Sequence, residues 1–457
     1  MKIRTMSWLA LLAGCLLVAG AGVALGQEEA SPSGESPSPA AEDSIGEPAS
    51  FAGSELVIPA PAPPFDPDTA TEAYLARLSP EEKTRSDRYF EGGYWLELWG
   101  LLYGLGMAWL LLGTGLSARM RGLAERVTRF RSVHTALYSI QYVLVVALLG
   151  FPLTVYRDYF REHQYGLATQ SFGPWLGESL VALVLVVVFA TVFVVVIYGI
   201  IRRAPRTWWL WGAGVGLVFL IFLLLISPVY IDPLFNTYTP LEDESVRDPI
   251  LSIARANGIA VDNVYQYDAS RQTTRISANV SGFLGTMRIR LNDNLLNRCS
   301  LPEIKAVMAH EIGHYVLNHI YESIIFFAVY FVVAFAFFRW AFDRALARWG
   351  ARWQVRGIDD VAGLPLLVAV LLVFFFVTTP IVNTYIRVNE VEADRFGLNA
   401  AREPDGFAMV AIGLAEYRKL DPGPLEEWIF YDHPSGRARV RMAMQWKAEH
   451  LDELDER

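Results

Sequence analysis

The chain has 457 residues, of which 53% are hydrophobic and 19% are charged, and its formal net charge is −9. An average soluble domain carries about 25% charged residues, so this composition excludes a disordered chain and argues against an ordinary soluble domain. The negative charge is concentrated in residues 27–76, which hold ten acidic and no basic residues, so the rest of the chain is close to neutral. A basic surface for nucleic acid is therefore excluded, and we expect no nucleic-acid partner.

Residues 1–26 form a targeting or membrane-anchoring segment. Lys2 and Arg4 precede an apolar stretch over 6–25, and the small residues that end it resemble a signal-peptide cleavage site. The stretch is also long enough to cross a bilayer, so it is either a signal peptide or a first transmembrane helix. Residues 27–68 are acidic and rich in Pro and Ser, which is typical of a solvated linker.

Six later apolar runs are long enough to cross a bilayer, which takes about 20 residues. Aromatic residues and arginines cluster at several of their ends, as they do at membrane interfaces. The runs are 94–114, 133–156, 179–200, 206–227, 321–341 and 362–386. We therefore predict a mainly α polytopic membrane protein with six or seven transmembrane helices, four of them in a membrane domain over 69–227 and two over 321–386.

A metalloprotease motif lies in the first large polar stretch, residues 228–320. His310, Glu311 and His314 form an HExxH pattern within a helical periodicity, so both imidazoles can face one ion while the carboxylate holds a water beside it. A catalytic zinc keeps an open position and lowers the pKa of its water towards 7. His319 lies five residues beyond His314, where a continuing helix would rotate it away from the metal, so we interpret it as a helix-end residue.

The remaining metal ligand must be a carboxylate or histidine, because the two cysteines of the chain cannot build a thiolate cage. Candidates occur in the last polar stretch, residues 387–457. Glu390 and Asp394 are four residues apart on one helical face, so one can bind the metal while the other accepts the spare ring N–H of a ligating histidine. Glu392 points to another side of the same helix.

At this point the sequence resembles the membrane-embedded zinc metalloproteases of the CAAX prenyl endopeptidase type. The resemblance covers nearly all of residues 70–445, and the shared motifs occur in the family's order. They are the segment Asp232–Leu241, Ser277-Ala278-Asn279, the segment Arg288–Asp293, the HExxH motif, the Glu390/Asp394 pair and His433-Pro434. The resemblance implies that Glu390 is the third ligand of one zinc ion per chain. It also implies a zincin-like domain with a small β-sheet, and helices that enclose an intramembrane chamber.

Family likeness also implies roles that spacing alone could not give. The segment around Ala278 and Asn279 resembles an edge strand to which a peptide substrate adds itself, although by itself it is equally an ordinary strand and turn. His433 is expected to donate a hydrogen bond to the tetrahedral oxyanion, and Arg439 is expected to support the site.

The sequence thus predicts an integral-membrane zinc endopeptidase whose general base is Glu311. Its expected substrates are membrane-associated, hydrophobic or CAAX-like peptides, and nothing in the sequence indicates an oligomeric state. The alternative is a non-proteolytic zinc-binding sensor or chamber protein, against which the intact Glu311 argues.

The distribution of arginines predicts which side of the membrane the site faces. Loop 157–178 has two arginines against three acidic residues, whereas twelve arginines occupy the loops 115–132, 201–206 and 342–361. Arginine-rich short loops are cytoplasmic by the positive-inside rule. With the signal-like N-terminus, this pattern predicts a bacterial inner-membrane protein whose catalytic site faces the periplasm.

Overall fold

A computed structural model describes residues 65–281 and 287–455. The predictions for residues 1–26 and for most of the acidic linker lie outside these residues. The described chain is mostly helical, and six of its helices are long and apolar enough to cross a membrane. Each of these six helices overlaps one of the six predicted apolar runs, which confirms the mainly α membrane class.

Four of the six candidate membrane helices precede the sheet, namely α2, α4 with its extension α5, α6 and α7. The bounds in this part are α1 (Pro67–Leu75), α2 (Pro80–Gly113), α3 (Leu116–Val127), α4 (Arg131–Val155), α5 (Arg161–Gln164), α6 (Phe172–Arg203) and α7 (Trp208–Ile226). Helix α2 begins well before the predicted run because Ser79 and Glu82 form a capping box around Pro80. A helix start of this kind lies in polar sequence, where hydropathy gives no signal.

A small mixed sheet follows α7. Its elements are β1 (Tyr238–Pro240), α8 (Glu244–Ala256), β2 (Val264–Tyr267), β3 (Ala278–Ser281) and β4 (Arg288–Asn292), in the spatial order β1-β2-β4-β3. Strands β2 and β4 are parallel, and the other two pairings are antiparallel. Within the described residues, β3 is therefore an edge strand.

The remaining helices carry the predicted metal ligands. They are α9 (Asp293–Arg298), α10 (Leu301–Val316), α11 (His319–Trp353), α12 (Leu364–Ala401), α13 (Pro404–Gly413), α14 (Pro424–Phe430), α15 (Gly436–Glu449) and α16 (Leu451–Asp455). Helix α10 begins with a capping box formed by Ser300 and Glu303. Helix α12 continues without a break from the last apolar run through Glu390 and Asp394, so one helix joins the membrane part to the predicted site.

Separate apolar cores stabilise the two parts of the molecule. One core lies among the membrane helices and includes Tyr138 and Phe331. Another packs the sheet against α8 and α10 and includes Ile289, Leu291 and Val307, all fully buried. Helix α10 also packs against α12, α13 and β3, which brings the HExxH motif next to the sheet edge and to the end of the last membrane helix.

Candidate active site

Three predicted ligands come together between α10 and α12. The Nε2 atoms of His310 and His314 are 3.1 Å apart, and they lie 3.2 and 3.5 Å from the two carboxylate oxygens of Glu390. Ligand atoms of a tetrahedral zinc, each about 2.05 Å from the ion, are about 3.3 Å from one another. The donor set and its spacing therefore fit one small tetrahedral cation.

His310 is held by a buried ion pair behind it. Its Nδ1 donates to Asp394 Oδ1 at 2.8 Å, and Arg439 from α15 contacts both oxygens of Asp394 at 2.6 and 3.0 Å. Asp394 and Arg439 are almost fully buried, so each charge is balanced by the other rather than by water. With its proton on Nδ1, the His310 ring has its Nε2 lone pair directed towards Glu390 and His314.

His314 is neutral in this environment. Burial lowers the pKa of its imidazole to about 3, far below the usual value near 6.5. A metal ligand must be a neutral imidazole, since the lone pair that binds the ion is the one that a proton would occupy. Glu311 is buried beside the two histidines, directly after His310 on α10.

His433 faces the same space from the segment between α14 and α15. Its Nε2 lies 3.1 Å from Glu390 Oε2, and its Nδ1 donates to Asp432 Oδ1 at 2.8 Å. Burial opposes ionisation of the Asp432 carboxyl, but the adjacent His433 ring holds its pKa below the usual value. Sequence reasoning missed Asp432, although an acidic residue next to a functional histidine was a usable signal.

Two further residues missed by sequence reasoning fix the segment that carries His433. Both lie on α12, on the stretch just before Glu390. Asn383 Nδ2 donates to the backbone carbonyl of Ile429 at 2.9 Å, and Arg387 Nη1 donates to that of Glu427 at 3.0 Å. Helix α12 therefore carries Glu390 and also anchors the chain segment that leads to His433.

Strand β3 lies beside α10, and among the described residues no further strand pairs with its outer edge. The N–H of Asn292 donates to the carbonyl of Ser277 at 2.9 Å, and such hydrogen-bonded pairs alternate along an antiparallel ladder. The N–H and C=O of Ala278 therefore point away from β4, towards the outer edge of the sheet. Asn279 follows in the register, paired with Arg290.

His319, which the sequence placed at a helix end away from the metal, is the first residue of α11 and is not among the three converging ligands, but it contacts one of them. Its Nδ1 is 2.8 Å from His314 Nδ1, and its Nε2 is 3.3 Å from Glu392 Oε2. Helix α10 ends at Val316, and Asn318 adopts a left-handed conformation with φ of 62°, which Asn tolerates better than most residues. The resulting turn brings His319 back towards His314, whereas the prediction extrapolated a straight helix.

Comparison with known proteins gives the family. A model described as CAAX prenyl protease N-terminal, five membrane helices, matches residues 68–237, and the model of peptidase family M48 matches residues 240–447. Together these matches span most of the chain. This chain is a member of peptidase family M48. The membership confirms the resemblance seen in the motifs.

Individual relatives agree with this membership. The metalloprotease YhfN of Bacillus subtilis is 28% identical, over 82% of this chain and 89% of its own. CAAX prenyl protease 1 of Saccharomyces cerevisiae is 33% identical, over 43% of this chain and 45% of its own. The crystal structure of S. mikatae Ste24p has the same fold, with a TM-score of 0.68 at 21% identity, covering 83% of this chain and 94% of that one.

The family and the fold together establish the general activity. The chain is a membrane-embedded metalloendopeptidase that acts on peptides, as predicted. The alternative of a non-proteolytic sensor has no support from these relatives.

Proposed function

We propose that this M48 peptidase is a zinc enzyme with one ion per chain, held by His310, His314 and Glu390. The observation that carries the proposal is the convergence of their donor groups: the two imidazole Nε2 atoms are 3.1 Å apart, and each lies within 3.5 Å of a carboxylate oxygen of Glu390. Two neutral imidazoles and one carboxylate are a typical ligand set of catalytic zinc. When bound, zinc would polarise the peptide carbonyl and lower the pKa of a water molecule.

Glu311 is the general base in this proposal. It accepts one proton from the attacking water as the hydroxide oxygen bonds to the carbonyl carbon of the peptide. The C–N bond then breaks, and Glu311 delivers the proton to the leaving amine nitrogen. The location of Glu311 supports this role, because it is buried next to His310 rather than on the solvent side of α10.

His433 stabilises the oxyanion, and Asp432 orients His433. An oxyanion requires a donor that is in place before charge develops. In this role His433 acts as an imidazolium, which donates from both ring nitrogens: its Nε2 points into the site, while the hydrogen bond from Nδ1 to Asp432 fixes the plane of the ring. Asp394 and Arg439 orient His310 from behind, through the contacts at 2.6 to 3.0 Å.

The peptide substrate binds by adding a strand to β3. Ala278 offers its backbone N–H and C=O at the outer edge, and Asn279 follows beside it on the same strand. Recognition through the main chain gives affinity without requiring one particular sequence. The site is also next to the membrane, because Glu390 follows the apolar run 362–386 on the same helix. We therefore expect membrane-associated or hydrophobic peptides as substrates.

The site faces the periplasm of a bacterial inner membrane in this proposal. Two of the arginine-rich loops lie at one end of the bundle, since Arg356 Nη1 contacts Glu125 Oε1 of α3 at 2.6 Å. Helix α12 starts near that end, and the stretch from Leu364 to Glu390 rises about 39 Å, more than the hydrocarbon core of about 30 Å. This length supports the proposal that the arginines of these two loops and the site lie on opposite sides of the membrane.

Metal content and peptide cleavage test the site assignment. Detergent-solubilised protein is incubated with a mixture of hydrophobic peptides, whose products are identified by mass spectrometry. We expect Glu311→Gln to keep zinc and lose cleavage, and Glu390→Ala to lose both. Glu322→Gln, at an exposed glutamate on α11, is the matched control and should behave like the unaltered protein. Full cleavage by Glu311→Gln would refute the mechanism.

Reporter fusions at the C-terminus test the orientation separately. Alkaline phosphatase folds only after export, and ordinary green fluorescent protein is fluorescent only when it remains inside. We expect an active phosphatase fusion and a dark fluorescent fusion. The reverse pair of results would place the site on the cytoplasmic side and leave the zinc proposal unaffected.

A further inference from the structure

A chain of hydrogen bonds leads from His314 to the surface. His314 Nδ1 contacts His319 Nδ1 at 2.8 Å, and His319 Nε2 contacts Glu392 Oε2 at 3.3 Å. The His319 side chain is 2% exposed, whereas that of Glu392 is 49% exposed. The contacts therefore join a buried ring to a carboxylate that water can reach.

When His314 binds the proposed zinc through Nε2, the protons of this chain can be placed in only one way for neutral rings. A contact between two ring nitrogens needs one N–H donor and one acceptor, and a neutral imidazole has one of each. With its Nε2 lone pair committed to the proposed zinc, beside His310 and Glu390, His314 carries its proton on Nδ1, which donates to His319. The proton of His319 is then on Nε2, directed at Glu392.

We propose that His319 and Glu392 are positioning residues for His314, which set its tautomer and hold its Nε2 towards the zinc site. The inference rests on the proposed zinc function, and it assigns to His314 the kind of support that Asp394 gives to His310. A ligand histidine held through its second nitrogen binds metal more tightly, because the ring needs no reorientation when the ion arrives.

The two ligand histidines are supported from different elements. Behind His310 lie Asp394 of α12 and Arg439 of α15, both buried. Behind His314 lies His319, the first residue of α11, followed by Glu392 of α12. Helix α12 thus supplies three carboxylates at alternate positions, and each of them contacts at least one histidine.

The two supports should differ in strength. The carboxylate of Asp394 accepts from His310 away from water and is fixed by Arg439, whereas Glu392 is half exposed and its contact with His319 is longer, at 3.3 Å. Solvent screens the outer end of the second chain. Most of the effect on His314 should therefore come from the acceptor nitrogen of His319, and less from Glu392.

Two substitutions of His319 distinguish a role in positioning His314 from a role in packing alone. Asn at position 319 can place its Oδ1 where the Nδ1 of histidine lies, so it can still accept from His314. Leu has the same number of side-chain heavy atoms, branched at the same position, and has no acceptor. Zinc dissociation constants are measured by competition with a fluorescent chelator, on metal-free protein in detergent, and folding of each variant is checked by thermal unfolding without metal.

We expect His319→Leu to bind zinc about 10- to 100-fold more weakly, and His319→Asn to stay within about threefold of the unaltered protein. Glu392→Gln should weaken zinc binding by less than about tenfold. In the His319→Leu background, it should not change the zinc dissociation constant further. If folded His319→Asn and His319→Leu bind zinc equally well, whether weakly or tightly, the positioning role is overturned. Loss of zinc by Glu390→Ala in the same assay shows whether the proposed metal site itself stands.

Discussion

The spacing of the proposed zinc ligands depends on a close contact between α10 and α12 at Gly397. A Cβ atom at this position would lie 3.0 Å from the backbone nitrogen of His310 and 3.2 Å from its Cα. Optimal separations of such atoms are about 3.5–4.0 Å. The contact involves backbone, which cannot rotate away as a flexible side chain can. Gly397→Ala should therefore move the two helices apart by roughly half an ångström.

Such a displacement is large for a metal site. Metal–ligand distances are usually within about 0.2 Å of their ideal values. Extra methyl groups in a packed interior cost about 1–3 kcal/mol. Metal-free protein can relieve this strain by separating the two helices. Zinc binding must then bring the helices together again, so the strain opposes binding. The dissociation constant for zinc should then rise by about 5- to 150-fold, since about 1.4 kcal/mol corresponds to a factor of ten.

Zinc affinity is a better measure than stability for this substitution. Replacing Gly by Ala within a helix favours the helix by about 1 kcal/mol, which partly hides the steric cost in thermal unfolding. The affinity is measured by chelator competition on metal-free protein. The control is Gly122→Ala in α3, where a new Cβ meets no atom of the described residues within 4 Å. It should leave the zinc dissociation constant unchanged.

An unchanged zinc affinity in folded Gly397→Ala would refute the reasoning. It would show that α10 and α12 accommodate a methyl group without changing the distance from His310 to Glu390. The close approach at Gly397 would then be a packing feature with no connection to the site.

Three further substitutions test the residues around the ligands. Arg439→Met should lower the free energy of unfolding by about 3–5 kcal/mol, because it leaves Asp394 charged and buried, and an unchanged denaturation midpoint would contradict this. His433→Phe should lower kcat by about 100- to 1000-fold with zinc retained, and an unaltered kcat would exclude an oxyanion role. Asp432→Asn should lower kcat by about tenfold, more than it changes KM. It should have no further effect once His433 is Phe, whereas independent effects of the two changes would show that Asp432 does not act through His433.

Much of this protein follows from local patterns in its sequence. The six apolar runs predicted six membrane helices, because hydrocarbon requires a long apolar segment whatever its neighbours are. The HExxH motif indicated a metal site, because helical periodicity alone brings residues four apart to one face. Helix boundaries were harder to predict from hydropathy. At Pro80, for example, a capping box starts α2 in polar sequence.

Other features were decided only by the tertiary structure, because they depend on contacts between segments distant in sequence. Periodicity places Glu390 and Asp394 on one face of α12, but only the packing of that helix on α10 puts Glu390 beside both Nε2 atoms and Asp394 beside Nδ1 of His310. The left-handed turn at Asn318 returns His319 to His314, which no extrapolated helix could show. Local geometry determines which side chains can share a face, and long-range packing determines what that face meets.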